Sequence, residues 1–241
     1  MIYLIGTGLY YLSDLPLRAL DPLRSCDEVF LERYTNLNDI SFLHELEEKI
    51  DKKVTIKDRQ FFESEEPIKI GKTKDIALLI PGDPLAATTH ISLLSEAKKE
   101  GIRYKIIHAS SIFSAIGATG LSLYKFGAVT SIPLDSKKLH ITSFMDVIKK
   151  NKLNGLHSLV LLEAKSKDTF VSEREAVELL EELGNDFIEK DKIIILSKAG
   201  SEEEIISLFT RLEKTLEPPI SLIIPGEISI IEEENMGVLL Q

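Results

Sequence analysis

The stretch Ile76-Ala77-Leu78-Leu79-Ile80-Pro81-Gly82-Asp83-Pro84-Leu85-Ala86-Ala87-Thr88-Thr89-His90 decides the fold. Its first five residues are uniformly apolar, which predicts a strand buried on both faces and central in a sheet. Pro81 and Pro84 then stiffen the backbone around Asp83, while Gly82 permits another chain to approach closely. The loop leaves the carboxyl end of the strand, where α/β sheets bind their ligands. A helix is expected over residues 89–100, stopped by Gly101. Two readings of the loop stand: a ligand-binding turn, or a turn that caps the next helix through Thr88 or Thr89.

Outward from this stretch, strand and helix signals alternate. Met1 to Ile5 reads as a buried strand turning at Gly6-Thr7-Gly8, and Glu28–Glu32, residues 54–56 and residues 103–107 read as further strands. Helices are expected over 16–24, with Ser13 or Asp14 as cap, and over 41–50, where Phe42, Leu43, Leu46 and Ile50 share a face. Strands separated by helices predict a largely parallel α/β sheet for the first 110 residues. The pattern changes near residue 111. A small-residue helix over 111–119 precedes strands at 129–132, Ser158–Leu162, 193–196 and 221–224. A helix over 144–151 carries the capping-box spacing Ser143 to Asp146, and a second helix is capped by Ser172 and Glu175. The expected organisation is two α/β domains, 1–110 and 111–241, with no flexible linker.

Composition narrows the function classes. Hydrophobic residues make up 44% of the 241-residue chain and charged residues 28%, as in soluble globular proteins. The net charge of −10 argues against a general nucleic-acid surface, which carries a basic footprint. The single cysteine, Cys26, falls in an apolar-periodic stretch with Leu20 and Leu23 and reads as core filler in a reducing compartment. The first residues lack the basic region of a signal peptide, and the uncharged run 106–124 holds too many serines, glycines and threonines for lipid. A cytoplasmic protein is expected, with no membrane and no nucleic-acid partner.

Several motifs fail on inspection. Gly6-Thr7-Gly8 lacks the third glycine of a dinucleotide fingerprint, since Tyr11 stands there, although Glu32 closes the second strand where an acid would be wanted. Gly71-Lys72-Thr73 imitates a phosphate loop, but Glu66 occupies the first glycine position and a strand follows; it reads as a solvated turn. Five histidines (44, 90, 108, 140 and 157) are scattered without metal-ligand spacing, so no metal is expected. Ile-Pro-Gly occurs at 80–82 and again at 224–226, without a true repeat.

Gly6-Thr7-Gly8-Leu9, Pro81-Gly82-Asp83-Pro84 and His108-Ala109-Ser110-Ser111-Ile112 together resemble the tetrapyrrole-methylase superfamily of S-adenosylmethionine-dependent methyltransferases. Within it the chain is most similar to the diphthine synthases, of archaeal type. The stretches Pro81 to His90, Ser114 to Gly127, Phe144 to Asn151, Gly155 to Leu162 and Pro218 to Gly226 carry this narrower resemblance. It implies two α/β domains of the tetrapyrrole-methylase type with the cofactor cleft between them, usually in a homodimer. The methyl donor S-adenosylmethionine, leaving as S-adenosylhomocysteine, would contact Leu9, Asp83, Ala86, Ser111, Ile112, Leu162, Ala199 and Ile220. At Ile220 the sequence departs from the histidine common in the family.

The implied reaction is successive N-methylation of the aminocarboxypropyl-histidine of translation elongation factor 2, in diphthamide synthesis. Such a transfer asks mainly for in-line positioning and removal of water, and no residue identifies itself from sequence as a general acid or base. The acceptor's carboxylate calls for a local cation, for which Lys125 and the Lys137-Lys138 pair are candidates. Alternative readings are a corrinoid or uroporphyrinogen methyltransferase of the same superfamily, and a binding module without catalysis.

Overall fold

The computed structural model describes residues 1–10, 12–33, 40–166, 168–184 and 187–240. The chain forms two compact units, Met1–Phe113 and Ser114–Gln241.

In the first unit the strands β1 (Ile2–Gly6), β2 (Glu28–Glu32), β3 (Val54–Lys57), β4 (Ile76–Ile80) and β5 (Tyr104–Ile107) form a wholly parallel sheet in the order β3-β2-β4-β1-β5. The apolar run 76–80 is the middle strand, and each of its five residues is fully buried. Alternation along the strands splits the core into two layers. Ile5, Val29, Leu31, Ala77 and Leu79 face Leu23 of α1 (Leu20–Ser25) and Phe42 and Leu46 of α2 (Ile40–Ile50). Ile2, Leu4, Phe30, Leu78 and Ile80 face α3 (Arg59–Glu63), α4 (Glu66–Gly71) and α5 (Ile91–Lys99). Two sequence expectations need correction here. The helix expected over 16–24 begins as a separate turn at Leu17–Ala19 without a side-chain cap, because the Asp14 carboxylate is taken by the Tyr10 N–H at 2.9 Å. Gly71, read as part of a solvated turn, closes α4 against Ile2, where a Cβ would approach the Ile2 side chain to 2.8 Å.

A short helix α6 (Ile112–Ala115) follows β5. The second unit holds β6 (Thr130–Ile132), α7 (Ser136–Leu139), α8 (Ser143–Leu153), β7 (Ser158–Leu162), a small hairpin of β8 (Ala164–Ser166) and β9 (Thr169–Phe170), and α9 (Glu173–Gly184). β10 (Ile194–Ser197), β11 (Ile205–Leu208), β12 (Ile220–Ile224) and α10 (Ile230–Leu239) complete it. Its main sheet runs β11-β10-β12-β7-β6 and is mixed: β6 is parallel to β7, the other pairs antiparallel. Phe144 and Ile148 of α8 pack with Val177 and Leu180 of α9 over Val160, Ile195 and Leu222 of this sheet. Ser172 and Glu175 cap α9 reciprocally, the Ser172 N–H donating to the Glu175 carboxylate at 3.0 Å and the Glu175 N–H to Ser172 Oγ at 3.2 Å. The Ser143–Asp146 box is not formed; Thr142 occupies the cap position of α8 without a side-chain bond. Among the described residues, no helix is long and apolar enough to cross a membrane.

Candidate active site

Three loops of the first unit meet at the carboxyl edge of its sheet. Gly8 and Gly82 have φ of 86° and 73°, values open to glycine, and they pair in antiparallel fashion. Gly82 N donates to Gly8 O at 2.8 Å, and Gly8 N to Gly82 O at 3.3 Å. The approach is close enough that a Cβ on Gly6 would stand 2.5 Å from Gly82 O and 2.9 Å from both Ala109 Cβ and Pro84 Cδ. The segments after β1, β4 and β5 therefore form one knot.

Asp83 ties that knot. Its Oδ1 accepts from Leu85 N at 3.0 Å, its Oδ2 accepts from Ala109 N at 3.2 Å, and the same Oδ2 lies 2.8 Å from His108 Nδ1. A carboxylate has about four acceptor positions, so three are spent inside the protein and one, on Oδ1, is left for a ligand. The capping reading of the loop holds in part. Thr88 Oγ1 donates to the Pro84 carbonyl at 3.0 Å and accepts from His90 N at 3.5 Å, at the entry to α5, while Thr89 Oγ1 donates to Glu63 at 3.4 Å and His90 itself gives α5 no side-chain cap.

Deeper on the same edge, Glu32 Oε2 and His90 Nε2 are 3.0 Å apart with both side chains buried, and the His90 ring stands edge-on to Phe62. Glu32 is thus committed to α5 and not to a dinucleotide ribose; Tyr11, the other residue of that fingerprint, lies outside the described residues. The Thr7 hydroxyl is buried in the first loop with no hydrogen-bond partner among the described residues. Cys26 is buried, and burial followed by the Asp75 charge pushes its thiol up to about 11, so it is no nucleophile.

Of the residues singled out from sequence, Leu9, Asp83, Ala86, Ser111 and Ile112 all lie on this edge of the first unit, Leu9 and Ala86 half-buried and Ser111 buried. The other three collect on one edge of the second sheet. Leu162 ends β7, Ile220 opens β12, and Ala199 follows β10, whose Ser197 pairs with Ile220 while Ser221 pairs with Leu161. Ile220 is 4% exposed and packs in the core, so it offers a ligand its main chain only.

Lys198, missed by sequence, organises this second edge. Its φ is 49°, its N–H donates to Pro219 O at 3.0 Å, and its ammonium bridges Glu203 at 2.5 Å and Glu217 at 2.9 Å. Those hydrogen bonds, Glu203 first, hold it protonated well above the ordinary lysine range. No local pattern marks this residue, because its partners come from two separate loops.

A second polar centre lies inside the same unit. Gly226 N donates to His157 Nδ1 at 2.9 Å, so the imidazole carries its proton on Nε2 and donates to Glu232 Oε1 at 3.2 Å. Burial is the main cause that pulls the His157 pKa below its usual value. Glu232 also accepts from Ser122 N at 3.0 Å, from Ser229 N at 2.8 Å and from the Lys125 ammonium at 2.7 Å. Burial opposes the carboxylate's charge, but these donors, Lys125 foremost, hold it far below the carboxylate range. Lys125 is therefore consumed, donating also to Glu227 O, and is no docking cation. Lys137 lies 3.8 Å from Glu178, its charge also favours the Glu175 carboxylate, and Lys138 is exposed. Among the described residues, no group of three or more metal-ligating side chains comes together.

The edge of the first unit offers a ligand main-chain groups brought close by glycines, small and apolar side chains, one open carboxylate position and the buried Thr7 hydroxyl. Comparison with known proteins gives this a family context. Residues 1–214 match the family described as Tetrapyrrole (Corrin/Porphyrin) Methylases. The diphthine synthase of Methanococcus aeolicus is 36% identical over 252 residues, covering 99% of this chain and 98% of the relative. That of Methanothermobacter thermautotrophicus is 35% identical over 248 residues, covering 98% and 94%. A crystal structure of diphthine synthase superposes with a TM-score of 0.85 at 29% identity, covering 98% of this chain and 94% of the other.

Proposed function

Since the chain belongs to the tetrapyrrole (corrin/porphyrin) methylase family, among its diphthine synthases, we propose that it methylates, in successive steps, the amino group of the aminocarboxypropyl-histidine of translation elongation factor 2. It is an S-adenosylmethionine-dependent methyltransferase. The observation that carries this reading is identity of 36% and 35% to diphthine synthases over essentially the whole chain, well beyond the donor loops shared across the family.

S-adenosylmethionine, when bound, supplies a methyl group on a sulfonium centre. The residues of this chain assigned to it are Leu9, Asp83, Ala86, Ser111 and Ile112 in the first unit and Leu162, Ala199 and Ile220 in the second. In support, each set collects on one edge of its own sheet, and the open position on Asp83 Oδ1 and the Thr7 hydroxyl suit polar groups of a nucleoside or amino acid. Gly6, Gly8 and Gly82 let the main chains approach, and Asp83 keeps the loops in register. Lys198 does the same for the segment around Ala199.

The acceptor side chain ends in a carboxylate beside its amine, and Lys137 and Lys138 remain available to orient it. A homodimer in the cytoplasm completes the reading. Ile230, Ile231, Val238 and Leu239 on α10 and Tyr124 nearby in sequence to Lys125 are more than half exposed, an apolar surface suited to burial by a second copy. Light scattering at micromolar concentration tests this against the monomer mass of 27.0 kDa. For the activity, labelled S-adenosylmethionine is supplied with either precursor elongation factor 2 or a corrinoid acceptor. Label should enter the protein acceptor alone; label in the corrinoid alone would move the chain to another branch of the family.

A further inference from the structure

Three histidines in the described residues touch a carboxylate, and they differ in one respect that bears on chemistry. His90 with Glu32 and His157 with Glu232 are sealed, with imidazoles at most 2% exposed. His108 is 57% exposed, while its partner Asp83 is only 14% exposed. Asp83 is fixed before it meets the imidazole, since its two oxygens already accept from Leu85 N and Ala109 N. An ionised carboxylate only accepts, so in the neutral imidazole the 2.8 Å contact places the proton on Nδ1 and leaves the lone pair on Nε2. No protein atom among the described residues partners Nε2. Arg18 also faces this residue, and its guanidinium donates to the His108 main-chain oxygen at 3.4 Å, leaving Nε2 uncovered.

We infer that His108, aligned by Asp83, is the general base that takes the proton from the acceptor amine before each methyl transfer. The inference rests on the methyltransferase reading above and adds to it a residue in a named role. An alkyl amine is held as its ammonium near neutral pH, and an ammonium has no lone pair with which to attack. His108 Nε2 accepts one N–H proton, leaving the amine neutral. The amine nitrogen then attacks the methyl carbon in line: the N–C bond forms, the C–S bond breaks, and its electron pair remains on sulfur as a neutral thioether. The imidazolium, open to solvent, passes its proton to water and is ready for the next cycle. Its position suits the role, since His108 leaves β5 at the carboxyl edge, three residues before Ser111. The arrangement of a fixed carboxylate, an oriented imidazole and an open nitrogen is what a reusable base requires.

The test uses His108→Asn, whose amide reaches the Nδ1 position and keeps the bond to Asp83 while removing the base. Three readouts are taken on the full chain: S-adenosylhomocysteine affinity by calorimetry, single-turnover methylation of precursor elongation factor 2, and rescue by added imidazole. The expected result is a rate loss of about a hundredfold or more, donor affinity within threefold of wild type, and restoration of at least tenfold by imidazole. Nitrogen NMR of the wild type, with no donor bound, should show His108 as the Nδ1–H tautomer. A wild-type rate in His108→Asn, a loss of donor affinity matching the loss of rate, failure of imidazole to restore it, or an Nε2–H tautomer would each overturn the assignment. If wild-type protein fails to methylate this acceptor at all, the functional reading itself is what fails.

Discussion

Replacing Gly6 by alanine probes the knot on which the proposed donor site depends. The added Cβ would stand 2.5 Å from Gly82 O and 2.9 Å from Ala109 Cβ and Pro84 Cδ, and none of these is the far end of a flexible side chain. Ordinary contact begins near 3.4 Å, so the Pro81-to-Pro84 loop must retreat by about 0.9 Å from the first strand's loop. Such overpacking costs about 1–3 kcal/mol. The retreat also stretches the two Gly8–Gly82 hydrogen bonds, each contributing about 0.5–1.5 kcal/mol. A total of about 2–6 kcal/mol follows, which corresponds to a fall on the order of 10–25 °C in melting temperature for a unit of this size. Because the displaced loop carries Asp83 and Ala86, S-adenosylhomocysteine affinity should fall at least tenfold, equivalent to about 1.4 kcal/mol. Gly101→Ala is the control. Gly101 has φ of 69° and open space around its Cβ position, so the change incurs only the left-handed penalty of about 1–2 kcal/mol and should not touch donor affinity. Calorimetry and thermal melts on both variants decide. Wild-type affinity in Gly6→Ala, with a melt like that of Gly101→Ala, would refute the claim that these three loops are locked together.

Further expectations can be read from single residues. Asp83→Ala removes a carboxylate with three internal partners, so unit stability should drop by about 2–3 kcal/mol together with donor affinity; intact stability in a melt would show that the carboxylate serves the ligand alone. His157 is held neutral by burial, so below its ordinary value of 6.5 the unfolded chain binds a proton that the folded unit refuses. Stability should therefore be full above that pH and fall as pH drops from there toward the lowered folded value; melts between pH 7 and 5 should show this slope in wild type and not in His157→Gln.

What could be read from the sequence was what is written in contiguous residues. The run 76–80 announced a central parallel strand because burial on both faces leaves no room for polar alternation, and the Ser172–Glu175 cap was legible because its two members lie three apart. The mixed character of the second sheet was not legible. β11 is four residues long and follows three consecutive glutamates, and pairing with β10 decides it, not local propensity. α10 escaped notice because Ile230 and Ile231 stay exposed while Glu232 turns inward, the reverse of ordinary amphipathic patterning. The spacing Ser143–Asp146 misled for a related reason: cap chemistry depends on where the chain enters the helix, and it enters one residue earlier, at Thr142. At the site, the loop 81–86 was visible, but the Asp83–His108 and His157–Glu232 contacts join residues 25 and 75 positions apart. Only the folded chain reveals that one of these is open to solvent and the other closed.

The most direct test of the central claim is mass spectrometry of translation elongation factor 2 bearing the precursor histidine, before and after incubation with this protein and S-adenosylmethionine. The account predicts stepwise addition of methyl groups, localised by fragmentation to the amine of that one modified histidine, with S-adenosylhomocysteine formed in equal number. An acceptor of unchanged mass, in a reaction where calorimetry shows the donor bound, would contradict it.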